Sequence, residues 1–334
     1  MISAQRRALR LVVLTSFSTL AIASNPSQAR EWLERMVDAM QQMTYQGTFV
    51  YMRGGDDIET MRITHLVDES GVRERLYSVS GPHREVIRDH EGIRCVLEDP
   101  ASVVEDQAVV NSYFPELPLS VIDNADSGYR LETGGMARIA GHSARRVSIS
   151  PADSYRYGYD FWLEQNTGLL LKWVLLDSRQ KPLAKLMFTD FTTGPEVKQD
   201  EIEPGSKEQD FVQMKTMSPE KSVVAQSTPR WQPAILPPGF QLSAHNRKTG
   251  TDEVYEHMVY SDGLAAVSVY VEQKDKGAAI KSGVSRLGTN YAFVRNQGPL
   301  RITVIGEVPV VTVKTIANEM ARSVVADLGN NSPK

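Results

Sequence analysis

The chain has 334 residues, with 37 basic and 41 acidic side chains, 41% hydrophobic residues and one cysteine. That composition is ordinary for a globular protein and excludes a disordered or collagen-like chain, while a lone Cys95 excludes an intramolecular disulfide framework. A net charge of -4 makes nucleic acid a poor partner, because phosphate binding rests on clustered positive charge.

The first residues have the layout of a secretory signal peptide: Arg6, Arg7 and Arg10, an apolar run from Leu11 to Ile22, and small residues around Ala21-Ile22-Ala23. Cleavage is expected after Ala23, giving residues 1–23 as the leader, with a second small-residue site ending at Ala29. The run is too short to span ~30 Å of hydrocarbon, and no cysteine follows it to carry a lipid. Removing the leader leaves 34 basic against 41 acidic residues, a net charge of -7. A soluble exported protein without cofactor is expected.

Trp32, Met36 and Met40 recur at four-residue spacing and predict an opening helix with one apolar face. Its methionines suit either core packing or an adaptable ligand-facing wall. The period then changes. Thr48 to Arg53, Ile58 to Val67, Val72 to Ser80, Arg84 to Asp89 and Ile93 to Glu98 are β-branched, aromatic-rich runs divided by turn residues, as in an antiparallel meander. Beyond Tyr113 to Pro118, further strands are expected at Tyr129 to Glu132, Met136 to Ile139, His142 to Ile149, Tyr157 to Glu164, Leu169 to Asp177 and Leu183 to Phe191. Asn166-Thr167-Gly168 links two of them as a hairpin. Within it Tyr157, Tyr159, Phe161 and Leu163 share one face and Asp160, Trp162 and Glu164 the other. A large curved sheet wrapped on a few helices meets these demands.

Residues 24–195 form this first domain, and the polar stretch 196–228 reads as a linker. Residues 229–328 form a smaller sheet-plus-helix domain. Its strands are expected at Phe240 to Arg247, Glu253 to Ser261, Ala265 to Glu272, Ser285 to Arg295 and Arg301 to Val304, before a helix near Ile316 to Val325. No Gly-x-Ser-x-Gly elbow, phosphate loop, dinucleotide fingerprint or His-Glu-x-x-His is present, and the six histidines stand singly, so neither an enzyme nor a metal site is expected. Arg145-Arg146 and the Arg73–Arg75 pair read as solvated strand faces or as anion contacts.

Several segments resemble the periplasmic sigma-E regulators of the RseB/MucB family. They are Met43-Thr44-Tyr45-Gln46-Gly47-Thr48-Phe49-Val50-Tyr51, Phe161-Trp162-Leu163 with its Asn166-Thr167-Gly168 turn, Leu236-Pro237-Pro238-Gly239-Phe240, Ser261-Asp262-Gly263-Leu264-Ala265 and Gly306-Glu307-Val308-Pro309. The resemblance implies a mainly β fold: a large unclosed antiparallel barrel similar to the carriers LolA and LolB, plus a small α+β C-terminal domain. It implies a protein that binds the periplasmic part of a single-pass, RseA/MucA-like anti-sigma factor, shields it from site-1 proteolysis, and lets go when lipid or lipopolysaccharide acyl chains bind. Candidate acyl contacts are Met36, Met40, Phe49, Tyr51, Tyr159, Phe161, Trp162 and Trp173; candidate partner contacts are Tyr260, Ser261, Asp262, Gly263 and Leu264. Homodimerisation stays open. The competing reading is a lipid or lipoprotein carrier of the LolA/LolB type.

Overall fold

A computed structural model describes residues 26–54, 58–97, 113–115, 117–118, 128–207, 212–214, 228–247, 255–274 and 281–330. The expected leader lies outside the described residues. Helix α1 (Pro26–Gln42) precedes β1 (Tyr45–Arg53), β2 (Ile58–Asp68), β3 (Gly71–Ser80), β4 (Arg84–Asp89) and β5 (Gly92–Leu97). Then come β6 (Tyr129–Ile139), β7 (His142–Pro151), β8 (Gly158–Glu164), β9 (Leu170–Leu176) and β10 (Pro182–Thr193), with a short β11 (Val212–Met214). All eleven join one sheet in the order β11-β5-β4-β3-β2-β1-β10-β9-β8-β7-β6. Two meanders meet where β1 pairs antiparallel with β10, Tyr51 opposite Leu186. β11 and β6 remain as edges, so the sheet is unclosed, as expected.

Period-2 alternation decides which side chains enter the concave face. Phe49 and Tyr51 of β1, Phe161 and Leu163 of β8, and Leu171, Trp173 and Leu175 of β9 are buried there. Across the strands Phe161 sits opposite both Val147 and Trp173. Helix α1 supplies Ala29, Leu33 and Met36 to the same core, packing toward β6 and β7. The sole thiol, Cys95, is fully buried. Two strands expected around Gly134-Gly135 are one continuous β6: the glycines sit where the register shifts between Thr133 and Met136, and a bulge absorbs them.

Residues 197–206 lie against the convex side of β2 to β4. Val197 and Ile202 pack on Leu66, Arg62 donates to Glu201 at 2.7 Å, and the backbone N–H groups of Gly205 and Ser206 donate to Glu85 at 2.7 and 2.9 Å. Arg75 pairs with the same Glu85 at 2.7 Å and Arg73 with Asp68 at 2.6 Å, while Arg146 pairs with Asp160 at 2.7 Å. These arginines are thereby assigned to holding the sheet.

The small domain has a second antiparallel sheet of β12 (Gln241–Arg247), β13 (Tyr255–Ser261), β14 (Ala266–Gln273), β15 (Gly283–Leu287), β16 (Asn290–Gln297) and β17 (Leu300–Gly306), ordered β12-β13-β14-β17-β16-β15. Helix α2 (Val310–Asn330) follows Pro309 and lays Val313, Ile316, Met320 and Val324 on Val269, Ile302 and Val304. All of these are fully buried, and each large aliphatic chain contributes roughly 1.5–3 kcal/mol. The strand expected from Ser285 to Arg295 is in fact the hairpin β15–β16. Gly288, at φ +60°, takes the first central position of a two-residue turn of the II′ kind, which glycine enters without strain.

Candidate functional site: the half-barrel cavity and the domain junction

A cavity of about 490 Å³ opens between the end of α1, the concave face of β1 to β4 and the segment around Tyr113. Its apolar wall includes Met40, Ile63, Leu76 and Phe114, and its polar groups include His65, Glu74 and Arg88 beside Gln41 and Gln42. His65 stacks on Tyr45 with ring centroids 4.8 Å apart, and its Nδ1 donates to the Met43 carbonyl at 2.9 Å. Burial lowers the His65 pKa, favouring neutral imidazole, and burial holds the Tyr45 phenol well above its usual range. Glu74 and Arg88 form an ion pair at 3.6 Å, so the polar end carries no net charge with His65 neutral.

Beside this cavity the described aromatic side chains of the concave face pack against one another. Tyr113 and Phe114 lie edge-on to Phe49 at 5.8 and 5.6 Å, Tyr113 meets Tyr51 at 5.0 Å, and the Trp173 indole donates to the Tyr113 carbonyl at 2.9 Å. Burial pushes the Tyr51 phenol up to about 12. Of the eight expected acyl contacts, Met40 alone lines this cavity. Met36, Phe49, Tyr51, Phe161 and Trp173 are buried core, and Tyr159 stacks on Phe161 at 5.6 Å. Trp162 faces the convex side, with Lys172 Nζ 4.2 Å from its ring centroid. Ile63, His65 and Leu76 escaped notice, although their alternate positions in β2 and β3 place them on the inward face.

The five expected partner contacts lie at the seam between the domains. Tyr260 is buried in the small core. Ser261 Oγ accepts from Gly263 N and donates to the Ala265 carbonyl, both at 2.9 Å, and Gly263 turns the chain at φ +98°. Leu264 packs on the core of the large domain. Asp262 is the centre of the arrangement. Its Oδ1 accepts from Leu264 N at 2.9 Å and Ala265 N at 2.7 Å, and its Oδ2 from Arg156 Nη1 at 2.8 Å and Tyr129 Oη at 3.1 Å. Four donors fill the carboxylate's acceptor sites. Both charged side chains of the Arg156–Asp262 pair are 0% exposed.

Arg156 comes from the large domain and enters the small one. It also pairs with Asp153 at 3.2 Å, donates to the Pro238 carbonyl, and lies over the rings of Tyr129 and Phe240 at 5.1 and 5.2 Å. Gly128 makes room for it, since a Cβ there would sit 2.5 Å from Arg156 Nη1. Nearby, Thr312 Oγ1 donates to the Tyr155 carbonyl at 2.6 Å.

A second contact joins the end of β1 to the β15–β16 turn. Arg53 donates to Thr289 Oγ1 at 2.9 Å and to Glu307 at 3.0 Å, Thr289 donates to Glu307, and Gly54 meets Gly288 backbone to backbone. Between the two contacts lies a cavity of about 230 Å³ lined by Tyr129, Tyr157, Tyr159, Leu264 and Glu307, among others. Burial raises the pKa of all three tyrosines, and the next contribution at Tyr129 is Asp262 and at Tyr159 Glu307. They stay protonated donors. Among the described residues no three His, Cys, Asp or Glu side chains converge as a metal site, and no helix is long and apolar enough to cross a membrane.

An unclosed half-barrel joined to a small α+β domain through a buried ion pair defines a two-domain β protein, with one cavity inside the larger sheet and another between the domains. Residues 28–206 match the MucB/RseB N-terminal domain and residues 225–321 the MucB/RseB C-terminal domain. The chain belongs to the MucB/RseB family. It is 32% identical to the sigma factor AlgU regulatory protein MucB of Pseudomonas aeruginosa, over 93% of this chain and 96% of that one. With the sigma-E factor regulatory protein RseB of Escherichia coli K12 the identity is 25%, over 91% and 93%. Its structure resembles that of MucB in complex with MucA(peri), with a TM-score of 0.67 and 30% identity over 86% of this chain and 97% of that one. Against a crystal structure of MucB, the TM-score is 0.59 at 31% identity over 88% of this chain and 97% of that one.

Proposed function

We propose that this chain is a periplasmic negative regulator of a sigma-E-type envelope-stress response. Exported and freed of its leader after Ala23, it binds the periplasmic segment of a single-pass, RseA/MucA-like anti-sigma factor. The bound segment is shielded from the site-1 protease, and binding of lipid or lipopolysaccharide acyl chains releases it. The observation that carries the reading is the likeness, along both domains in one continuous arrangement, to a relative solved with MucA(peri). Peptide capture falls to the small domain and the seam, and acyl chains to the cavity walled by Met40, Ile63, Leu76 and Phe114. Tyr260 to Leu264 act on the partner by fixing the seam.

A titration tests it: the purified mature chain against the periplasmic segment of the anti-sigma factor from the same organism, then site-1 protease with and without lipopolysaccharide. Saturable binding, slower cleavage, and cleavage restored by lipopolysaccharide are expected. Absence of binding refutes the regulator; binding without any effect of lipopolysaccharide refutes the release step.

A further inference from the structure

The two contacts across the seam are unequal. Arg156 and Asp262 are wholly withdrawn from water, and every acceptor site of Asp262 is used. If that pair parted while the domains stayed near one another, a guanidinium and a carboxylate would be stranded away from solvent, which is the costly way to break a buried ion pair. Arg53 and Glu307 are instead 27% and 33% exposed. Water can take over their hydrogen bonds as they separate, so their pairing is weak. The 230 Å³ cavity between the two contacts, bordered by Tyr129 of the first and Glu307 of the second, provides space that a small rotation would enlarge.

We infer that the junction is an asymmetric hinge: Arg156, seated in the small domain against Asp262, is the pivot, and the Arg53–Thr289–Glu307 contact is the latch that parts. Motion of this kind turns the domains about a fixed anchor without pulling them apart. It opens the inter-domain cavity on the side of the β15–β16 turn. Any consequence for partner affinity rests on the function proposed above, whereas the hinge itself is read on the chain alone.

Paired spin labels on the full mature chain provide the test, with distance distributions measured by pulsed electron resonance. Cysteines replace Val79 and Leu287 in one sample and Val79 and Leu242 in another; all three residues are exposed, and Cys95 is buried. Leu287 borders the latch turn and Leu242 follows Phe240, which packs on the pivot. In the Arg53→Gln background the open population should rise by up to about fivefold, the factor one part-exposed ion pair supplies. It should appear as a broader Val79–Leu287 distribution with the Val79–Leu242 distribution unchanged, and Arg53→Lys should narrow it again. Equal broadening of both pairs, or of neither, overturns the hinge. Asp262→Asn should broaden the Val79–Leu242 pair, and a narrow pair in that variant overturns the pivot. Tyr129→Phe puts the same question to a chain that keeps both charges. Failure to bind an anti-sigma segment, with these distances behaving as stated, sinks the proposed function and leaves the hinge standing.

Discussion

Asp262→Asn removes one charge from a site where neither partner side chain touches water. Breaking a buried pair from one side costs about 3–5 kcal/mol. Arg156 keeps the Asp153 carboxylate at 3.2 Å and the Pro238 carbonyl, which places the cost at the lower end, about 3 kcal/mol. Arg156→Met should cost a similar amount, since it leaves Asp262 buried with Tyr129 and two backbone donors. The double variant removes both charges and should cost less than the two single changes together, with a coupling of about 2 kcal/mol. Urea unfolding followed by tryptophan fluorescence reads this, because Trp173 is buried in the large core and Trp231 in the small one. With a slope of about 2 kcal/mol per molar, Asp262→Asn should lower the midpoint of the transition that couples the domains by about 1.5 M. A shift under about 0.5 M, or single effects that simply add, would refute the view that this pair holds the domains together.

Gly54→Ala forces a residue with a Cβ into φ +69° and sets that Cβ 2.7 Å from Gly288 Cα, so about 1–3 kcal/mol should be lost, measurable as a lower Tm. Phe49→Ala should cost about 3–5 kcal/mol, because the ring is fully buried among Tyr113, Phe114 and Phe188, whereas Trp162→Ala on the convex face should cost far less in the same denaturation assay. Burial lowers the pKa of His65 and of His257, so below about pH 6.5 the unfolded chain takes up protons that the folded one refuses. Stability should therefore fall as the pH drops below that point, and His65→Gln should flatten the decline in urea titrations at pH 7.5 and 5.5. An unchanged slope would mean that His65 takes up its proton equally in the folded and the unfolded chain.

Much of this fold is written in short-range pattern. The alternation from Tyr159 to Leu163, the Asn166-Thr167-Gly168 turn and the four-residue spacing of Ile316, Met320 and Val324 each depend on neighbours in sequence, and each lies where the pattern puts it. Trp162 was equally legible. Period 2 sets it beside Asp160 and against Phe161, and grouping it with acyl contacts followed residue type over position. The β15–β16 turn was hidden because a single Gly in a β-rich run reads equally well as a bulge. The seam was beyond sequence reasoning altogether. Ser-Asp-Gly-Leu-Ala advertises a tight turn, but nothing local says that Asp262 faces an arginine from the other domain, or that Tyr113 and Phe114 fold back over Phe49.

The stretch that backs β2 to β4 has a practical corollary for anyone excising the half-barrel as a stand-alone fragment. A cut at residue 195 would bare Leu66, strip Glu85 of the amides of Gly205 and Ser206, and leave Arg62 facing solvent without Glu201. Such a piece would present a fresh sticky surface and invite clumping for reasons unrelated to its native behaviour. Ending it beyond Ser206 keeps that covering intact.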